Sequence, residues 1–278
     1  MDLDQYISLS LQEDVGPGDY SALSCIPADA QSKANLIIKD KGILAGIELA
    51  EKIFKTVDAS LQINIFKKDG QHVDKSEIAF TVEGSVLSIL KTERLVLNCM
   101  QRMSGIASTT YLYAEQVKHT KAKILDTRKT TPLNRYIEKW AVRIGGGHNH
   151  RFGLYDMIMI KDNHVDYAGG IKQAIESANT FRKNRNLNIP IEIETRNLNE
   201  VEQVLNTGCV ERIMLDNFQP ALIKEAVSMI SGRFETEASG GIILQNVKDY
   251  AETGVDYISV GALTHSFKSM DMSLKASQ

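Results

Sequence analysis

The chain has 278 residues, 43% hydrophobic and 24% charged, enough for one large or two modest globular units with a full core. Its 32 lysines and arginines against 35 acids leave a net charge of −3, which excludes a general nucleic-acid or membrane-surface binder. No apolar run reaches the roughly 20 residues of a membrane span, and Cys25, Cys99 and Cys209 form neither a C-x-x-C pair nor an even set, so a cytoplasmic enzyme is the expectation.

Residues 1–118 read as a small α+β domain, with the tail 268–278 as a candidate to complete it. The acidic start is no secretory leader. Leu3, Ile7, Leu9 and Leu11 suit a short helix, which Asp14-Val15-Gly16-Pro17-Gly18-Asp19 stops. Strand-like runs follow at 34–38, 61–66 and 78–82, with a helical pattern over 47–57. A long helical stretch from 86 to 118 closes this half. From 119 to 267 the pattern becomes repetitive. Apolar, β-rich runs at 124–125, 157–160, 189–193, 213–215, 234–238 and 257–260 alternate with helical patterns at 171–181, 198–205, 221–230 and 247–251. Such alternation at a steady pitch predicts parallel βαβ units, and we read them as an α/β barrel rather than a doubly wound sheet, although only six strands stand out.

In a parallel barrel the C-terminal strand ends converge on one face, where active sites sit. Those ends carry Asp126-Thr127-Arg128-Lys129, Lys161-Asp162-Asn163-His164, Glu194, Asp216-Asn217, Ser239-Gly240-Gly241 and Gly261-Ala262. Cations come early, carboxylates in the middle and glycines last. The stretch 128–151 holds six cations (Arg128, Lys129, Arg135, Lys139, Arg143, Arg151) against the single acid Glu138. The i, i+4 spacing of Arg135, Lys139 and Arg143 suits a solvated helix face. Arg128, Lys129 and Arg151 lie in turns, and fixed guanidiniums there suit carboxylates or phosphates. Glu194 and Asp216, among cations, suit either Mg2+ on a polyphosphate or ion pairs to Arg128 or Lys161. The glycine loops at 239–241 and 261 suit a phosphate. Gly145-Gly146-Gly147-His148-Asn149-His150-Arg151 reads as a flexible loop delivering His150 and Arg151 to an anion; His148 and His150 lack a third nearby ligand for a metal.

In this order the motifs Thr127-Arg128-Lys129-Thr130, Gly145-Gly146-Gly147 with His150-Arg151, Lys161-Asp162-Asn163-His164, Leu215-Asp216-Asn217, Ala238-Ser239-Gly240-Gly241 and Leu263-Thr264-His265-Ser266 resemble the quinolinate phosphoribosyltransferase family, the carboxylating nicotinate-nucleotide pyrophosphorylases. Glu93-Arg94 and Glu13–Asp19 extend the resemblance over nearly the whole chain. It implies an incomplete (open) α/β barrel beside a smaller N-terminal α+β domain, a homodimer, Mg2+, and transfer of phosphoribosyl from phosphoribosyl pyrophosphate to quinolinate with loss of CO2. By resemblance Arg128, Lys129, His150, Arg151 and Lys161, with Thr127, face quinolinate, and Arg94 reaches the neighbouring subunit's site. Lys129, Glu194 and Asp216 are then the catalytic candidates, the two acids near ribose and Mg2+. Ser239, Gly240, Gly241, Gly261 and His265 fall on the phosphate side. One departure is Leu133-Asn134, where the family carries Gly-Leu. Other readings are a related phosphoribosyltransferase with another acceptor, a Schiff-base lyase using Lys161, and a nucleic-acid module built on the basic stretch with Tyr136 and Trp140, whose i, i+4 spacing better suits helix packing.

Overall fold

The computed structural model describes residues 2–277, which divide into two compact units. The first comprises the chain up to residue 111, residues 130–146 and the tail from 266; the second comprises 112–129 and 147–265. Helix α1 (Leu3–Val15) opens on a capping box, the Asp2 carboxylate accepting from the Gln5 amide at 2.8 Å while the Gln5 side chain accepts from the Asp2 amide. After α2 (Tyr20–Cys25), β1 (Gln31–Ile38) alternates outward polar residues with buried Ala34, Leu36 and Ile38. There follow β2 (Gly42–Ile43), α3 (Ile47–Val57), β3 (Gln62–Ile65), β4 (His72–Val73), β5 (Ile78–Ser85) and the long α4 (Val86–Val117), which runs through both units. Leu36, Ile53, Phe54, Phe80, Met100 and Met103 form the first unit's core, with Phe54 and Phe80 packed edge to face.

β6 (Lys123–Leu125) precedes α5 (Arg135–Ile144), which the sequence reading assigns to the barrel domain and the structure moves to the first unit. The reason is local. Glu138 is fully buried and accepts from Arg102 Nε at 2.9 Å, and Arg102 lies in α4. Of the face read as solvated, Arg143 is exposed and Arg135 half-buried, but Lys139 is buried. A Cβ on Gly145, just past α5, would sit 2.4 Å from the Ala107 carbonyl oxygen, so only glycine permits this approach to α4.

The rest of the second unit runs β7 (Ile158–Ile160), α6 (Asp162–Ala168), α7 (Ile171–Asn184), β8 (Ile191–Thr195), α8 (Leu198–Thr207), β9 (Arg212–Asp216), α9 (Pro220–Ile230), β10 (Glu235–Ser239), α10 (Val247–Ala251), β11 (Tyr257–Ser259) and α11 (Ala262–His265). Its six strands are all parallel, in the order β6-β11-β10-β9-β8-β7. The first strand pairs with the last, the circular order of a barrel, and the ring stays open between β6 and β7. A single bridge from His148 to Leu125 lies in that region. β12 (Met272–Ala276) pairs antiparallel with β1, so the tail adds a strand to the first unit's sheet, of order β12-β1-β5-β3. Among the described residues, no helix is long and apolar enough to cross a membrane.

Candidate active site

Strand alternation decides what the barrel holds. Side chains two apart share a face, so β8 turns Glu192 and Glu194 one way and Ile191, Ile193 and Thr195 the other. The paired registers Glu192 with Arg212, Glu194 with Met214, Glu237 with Met214 and Ser239 with Asp216 continue this polar face through β9 and β10. A cavity of about 860 Å³ opens on it. Met159, Glu194, Met214, Asp216, Glu237, Ser239 and Ser259 line it from the strands, and loop residues complete the wall.

Thirteen of the fourteen residues expected at the site line this one cavity: Thr127, Arg128, Lys129, His150, Arg151, Lys161, Glu194, Asp216, Ser239, Gly240, Gly241, Gly261 and His265. Arg94 is the fourteenth. It lies on α4 in the first unit and lines a separate groove there with Glu13, Asn98 and Leu133.

The cationic wall is built by short turns. Thr127 Oγ1 accepts from the Lys129 amide at 3.0 Å, and the Lys129 carbonyl accepts from Thr264 Oγ1 at 2.8 Å, which ties the turn after β6 to the one after β11. Burial and the nearby Arg128 guanidinium both lower the Arg151 pKa. Lys161 Nζ is ion-paired with Glu194, the pairing that one reading of the sequence anticipated.

The His150 segment is pinned rather than flexible. The His148 amide donates to the Ile124 carbonyl at 2.8 Å. Buried Asp126 accepts from the His150 amide at 2.8 Å and from Asn149 Nδ2 at 2.6 Å. Gly145 serves close packing, and the expectation of a flexible loop is corrected by the hydrogen bonds that hold His148, Asn149 and His150.

The opposite wall is the loop 239–246. Gly240 has φ +94°, and a Cβ there would lie 2.9 Å from the Asn217 backbone nitrogen, so the turn requires glycine. Asn246 Nδ2 donates to the Gly241 carbonyl at 3.2 Å and closes the loop. Because α10 begins only at Val247, it is the loop itself rather than a helix terminus that lines the cavity at Gly240 and Gly241.

The sequence reading missed a layer beneath this wall. His150 Nε2 lies 3.0 Å from Glu192 Oε2 and 3.4 Å from Glu237 Oε2, all three side chains being buried. Arg212 Nη1 pairs with Glu237 at 2.9 Å and Nη2 with Glu235 at 3.0 Å, and its guanidinium stacks 3.9 Å over the Tyr257 ring. Burial alone would lower the His150 pKa, but the contacts and charges of the two carboxylates outweigh it and push it up to about 9. Burial, then the Glu237 charge, raises Glu192 to about 7. The missed signal was there: strands of a parallel sheet are usually apolar on both faces, and Glu192, Arg212 and Glu237 sit at alternate positions of otherwise apolar runs.

The comparisons agree with this geometry. The quinolinate phosphoribosyl transferase C-terminal domain model matches residues 106–275, and the N-terminal domain model matches 19–104. The chain is 48% identical to a chloroplastic nicotinate-nucleotide pyrophosphorylase (carboxylating) of Oryza sativa subsp. japonica, over 99% of this chain and 77% of that protein. It is 46% identical to a mitochondrial quinolinate phosphoribosyltransferase (decarboxylating) of Nicotiana tabacum, over 99% of this chain and 82% of that protein. The crystal structure of NadC from Streptococcus pyogenes superposes with a TM-score of 0.93 at 38% identity, covering 99% of this chain and 97% of that one. With both domain models matched end to end, the chain belongs to the quinolinate phosphoribosyltransferase family.

Proposed function

We infer that this cavity joins quinolinate to phosphoribosyl pyrophosphate and releases nicotinate mononucleotide, pyrophosphate and CO2, a step of de novo NAD synthesis. The observation that carries the reading is one cavity with a cationic wall, two strand-end carboxylates and a glycine loop. Two polyanions repel until cations neutralise them. Arg128, Lys129, Arg151 and Lys161 supply that neutralisation on the quinolinate side, and His150 belongs to the same wall. The fixed wall then holds the pyridine nitrogen against the ribose anomeric carbon, lowering the entropic barrier. The nitrogen lone pair forms the new C–N bond as the C–O bond breaks, and pyrophosphate departs with that electron pair. Oxocarbenium character on the ribose is stabilised by Glu194 and Asp216. The alkylated ring accepts the pair left by the departing CO2, and a proton takes the carboxylate's place. No side chain acts as a covalent nucleophile.

Glu194 and Asp216 fit a hard divalent cation: they are carboxylates at adjacent strand ends, both on the cavity wall, with room for water between them and a polyphosphate. Mg2+ held there would neutralise the pyrophosphate charge. Ser239, Gly240, Gly241, Gly261 and His265 are assigned to the phosphates. We assign the working unit as a homodimer in which Arg94 completes the neighbouring subunit's site, and place it in the cytosol on the strength of its three free cysteines.

The deciding experiment incubates the protein with Mg2+, phosphoribosyl pyrophosphate and quinolinate labelled in the 2-carboxylate, and follows mononucleotide and labelled CO2. Equal release of both is expected, with nicotinate inert as control acceptor. Turnover of nicotinate would favour the other-acceptor reading, and a nucleotide retaining both carboxylates would move decarboxylation off the enzyme.

A further inference from the structure

Glu192, Glu237 and Arg212 have no role in the reaction just described, yet they are connected through His150 to its acceptor wall. His150 is held from two sides. Its Nδ1 accepts from the Arg151 amide at 2.6 Å, and its Nε2 faces Glu192 and Glu237. Glu237 is in turn held by Arg212, which is fixed by Glu235 and the face of Tyr257. An unbroken run of contacts therefore leads from the barrel interior to the backbone of Arg151, which lines the cavity and whose guanidinium donates to the Met157 carbonyl at 3.3 Å.

His150, Glu192 and Glu237 could by their spacing hold a metal ion. Two observations argue against one. Nε2 faces carboxylate oxygens of Glu192 and Glu237 at 3.0 and 3.4 Å, so it carries a hydrogen and has no lone pair to give a metal. The Arg212 charge also lies against the Glu237 oxygen that a metal would need. Glu192 Oε1 and Oε2 make no directional hydrogen bond, so charge holds the ring rather than a single aligned contact.

We propose that Glu192, Glu237 and Arg212 are positioning residues for quinolinate: they hold the His150 imidazole by its Nε2 edge, and through its Nδ1 set where the Arg151 guanidinium stands. Glu192 and Arg212 lie off the cavity wall, and Glu237, which is on it, acts here by holding the ring. A carboxylate-binding guanidinium works within narrow geometric limits, and freeing the ring beneath it costs productive orientation. The effect is confined to the acceptor side, because the glycine loop that serves the phosphates is tied by Asn217 and Asn246 instead.

This inference rests on quinolinate being the acceptor, which turnover by the unaltered protein tests separately. Given that turnover, Glu192→Gln and Glu237→Gln should each raise the quinolinate KM at least tenfold while the phosphoribosyl pyrophosphate KM moves less than twofold. Glu200→Gln, which alters another interior carboxylate, paired with Arg196, should leave both constants unchanged. If Glu237→Gln does not fold, the double variant Glu237→Gln with Arg212→Gln removes the charges together and takes its place. Nitrogen-15 spectra of histidine-labelled unaltered protein should show a hydrogen on His150 Nε2. Unchanged quinolinate KM in folded variants, equal changes in both constants, an Nε2 without a hydrogen, or a stoichiometric divalent ion surviving dialysis against chelator would each overturn the proposal.

Discussion

Leu133 takes φ +66° with 72% of its surface exposed, at the position where the family resemblance implies glycine. Nothing in its exposure compensates a left-handed backbone, which costs an L residue about 1–2 kcal/mol. Leu133→Gly should recover part of this, less the added chain entropy of glycine, for a net gain of about 0.5–1 kcal/mol in urea unfolding. Arg128 is a different case, since its cost appears in binding. Arg128→Ala should remove a charge-assisted contact of about 1.5–3 kcal/mol and raise the quinolinate KM about tenfold or more in steady-state assays. An unchanged KM would take Arg128 out of the acceptor wall. Arg128, Lys161 and Asp216 could be read from sequence because each stands where an apolar run ends, and the end of a run marks a place in space. Glu192 and Glu237 stand inside such runs, where a carboxylate announces burial only if the alternation about it is weighed. Gly145 was legible as a glycine but not as a contact, because the α4 backbone it approaches lies far away in sequence.

Asp256, just before β11, ties neighbouring strands at their N-terminal ends. It accepts from the Thr236 amide at 2.9 Å, from Thr236 Oγ1 at 2.7 Å, and from Lys121 Nζ at 2.7 Å. Burial raises its pKa, but the Lys121 and Thr236 contacts outweigh this and hold it below the ordinary aspartate value of 3.8. A lowered folded pKa stabilises above the unfolded value and loses that contribution as pH falls through the folded one. Asp256→Asn should therefore cost about 1 kcal/mol at neutral pH after allowing for solvent screening. The gap between variant and parent in urea midpoint should close as pH drops below about 4. A gap independent of pH would assign the effect to shape rather than charge. Elements of this kind differ in how far sequence exposes them. α3 runs over the residues its apolar spacing outlines, and the six barrel strands lie where β-rich runs stand between helical patterns. β12 was not outlined, because Met272–Ala276 mixes polar and apolar residues and becomes a strand only by pairing with β1. α2 and α6 are too short for periodicity to register.

The domain boundary that sequence suggests, and the junction of the two family models near residue 105, do not coincide with the physical units. A boundary in sequence assumes each unit is one continuous stretch, and here the first unit takes up 130–146 and the tail as well. Assembly brings its own test. If Arg94 completes a neighbouring site, mixing subunits carrying Arg94→Ala with subunits carrying Lys129→Ala should restore activity to about a quarter of the dimers' sites, as each inactive chain lends its intact half. No recovery in verified mixed dimers would make each site the work of one chain. The chain passes between its two units at 111/112, 129/130, 146/147 and 265/266. One cut in a gene carrying this layout cannot separate the two units, and because the first unit holds both ends of the chain, any single crossover with a relative leaves that unit mixed. Such a protein is inherited, and must be engineered, as one indivisible piece.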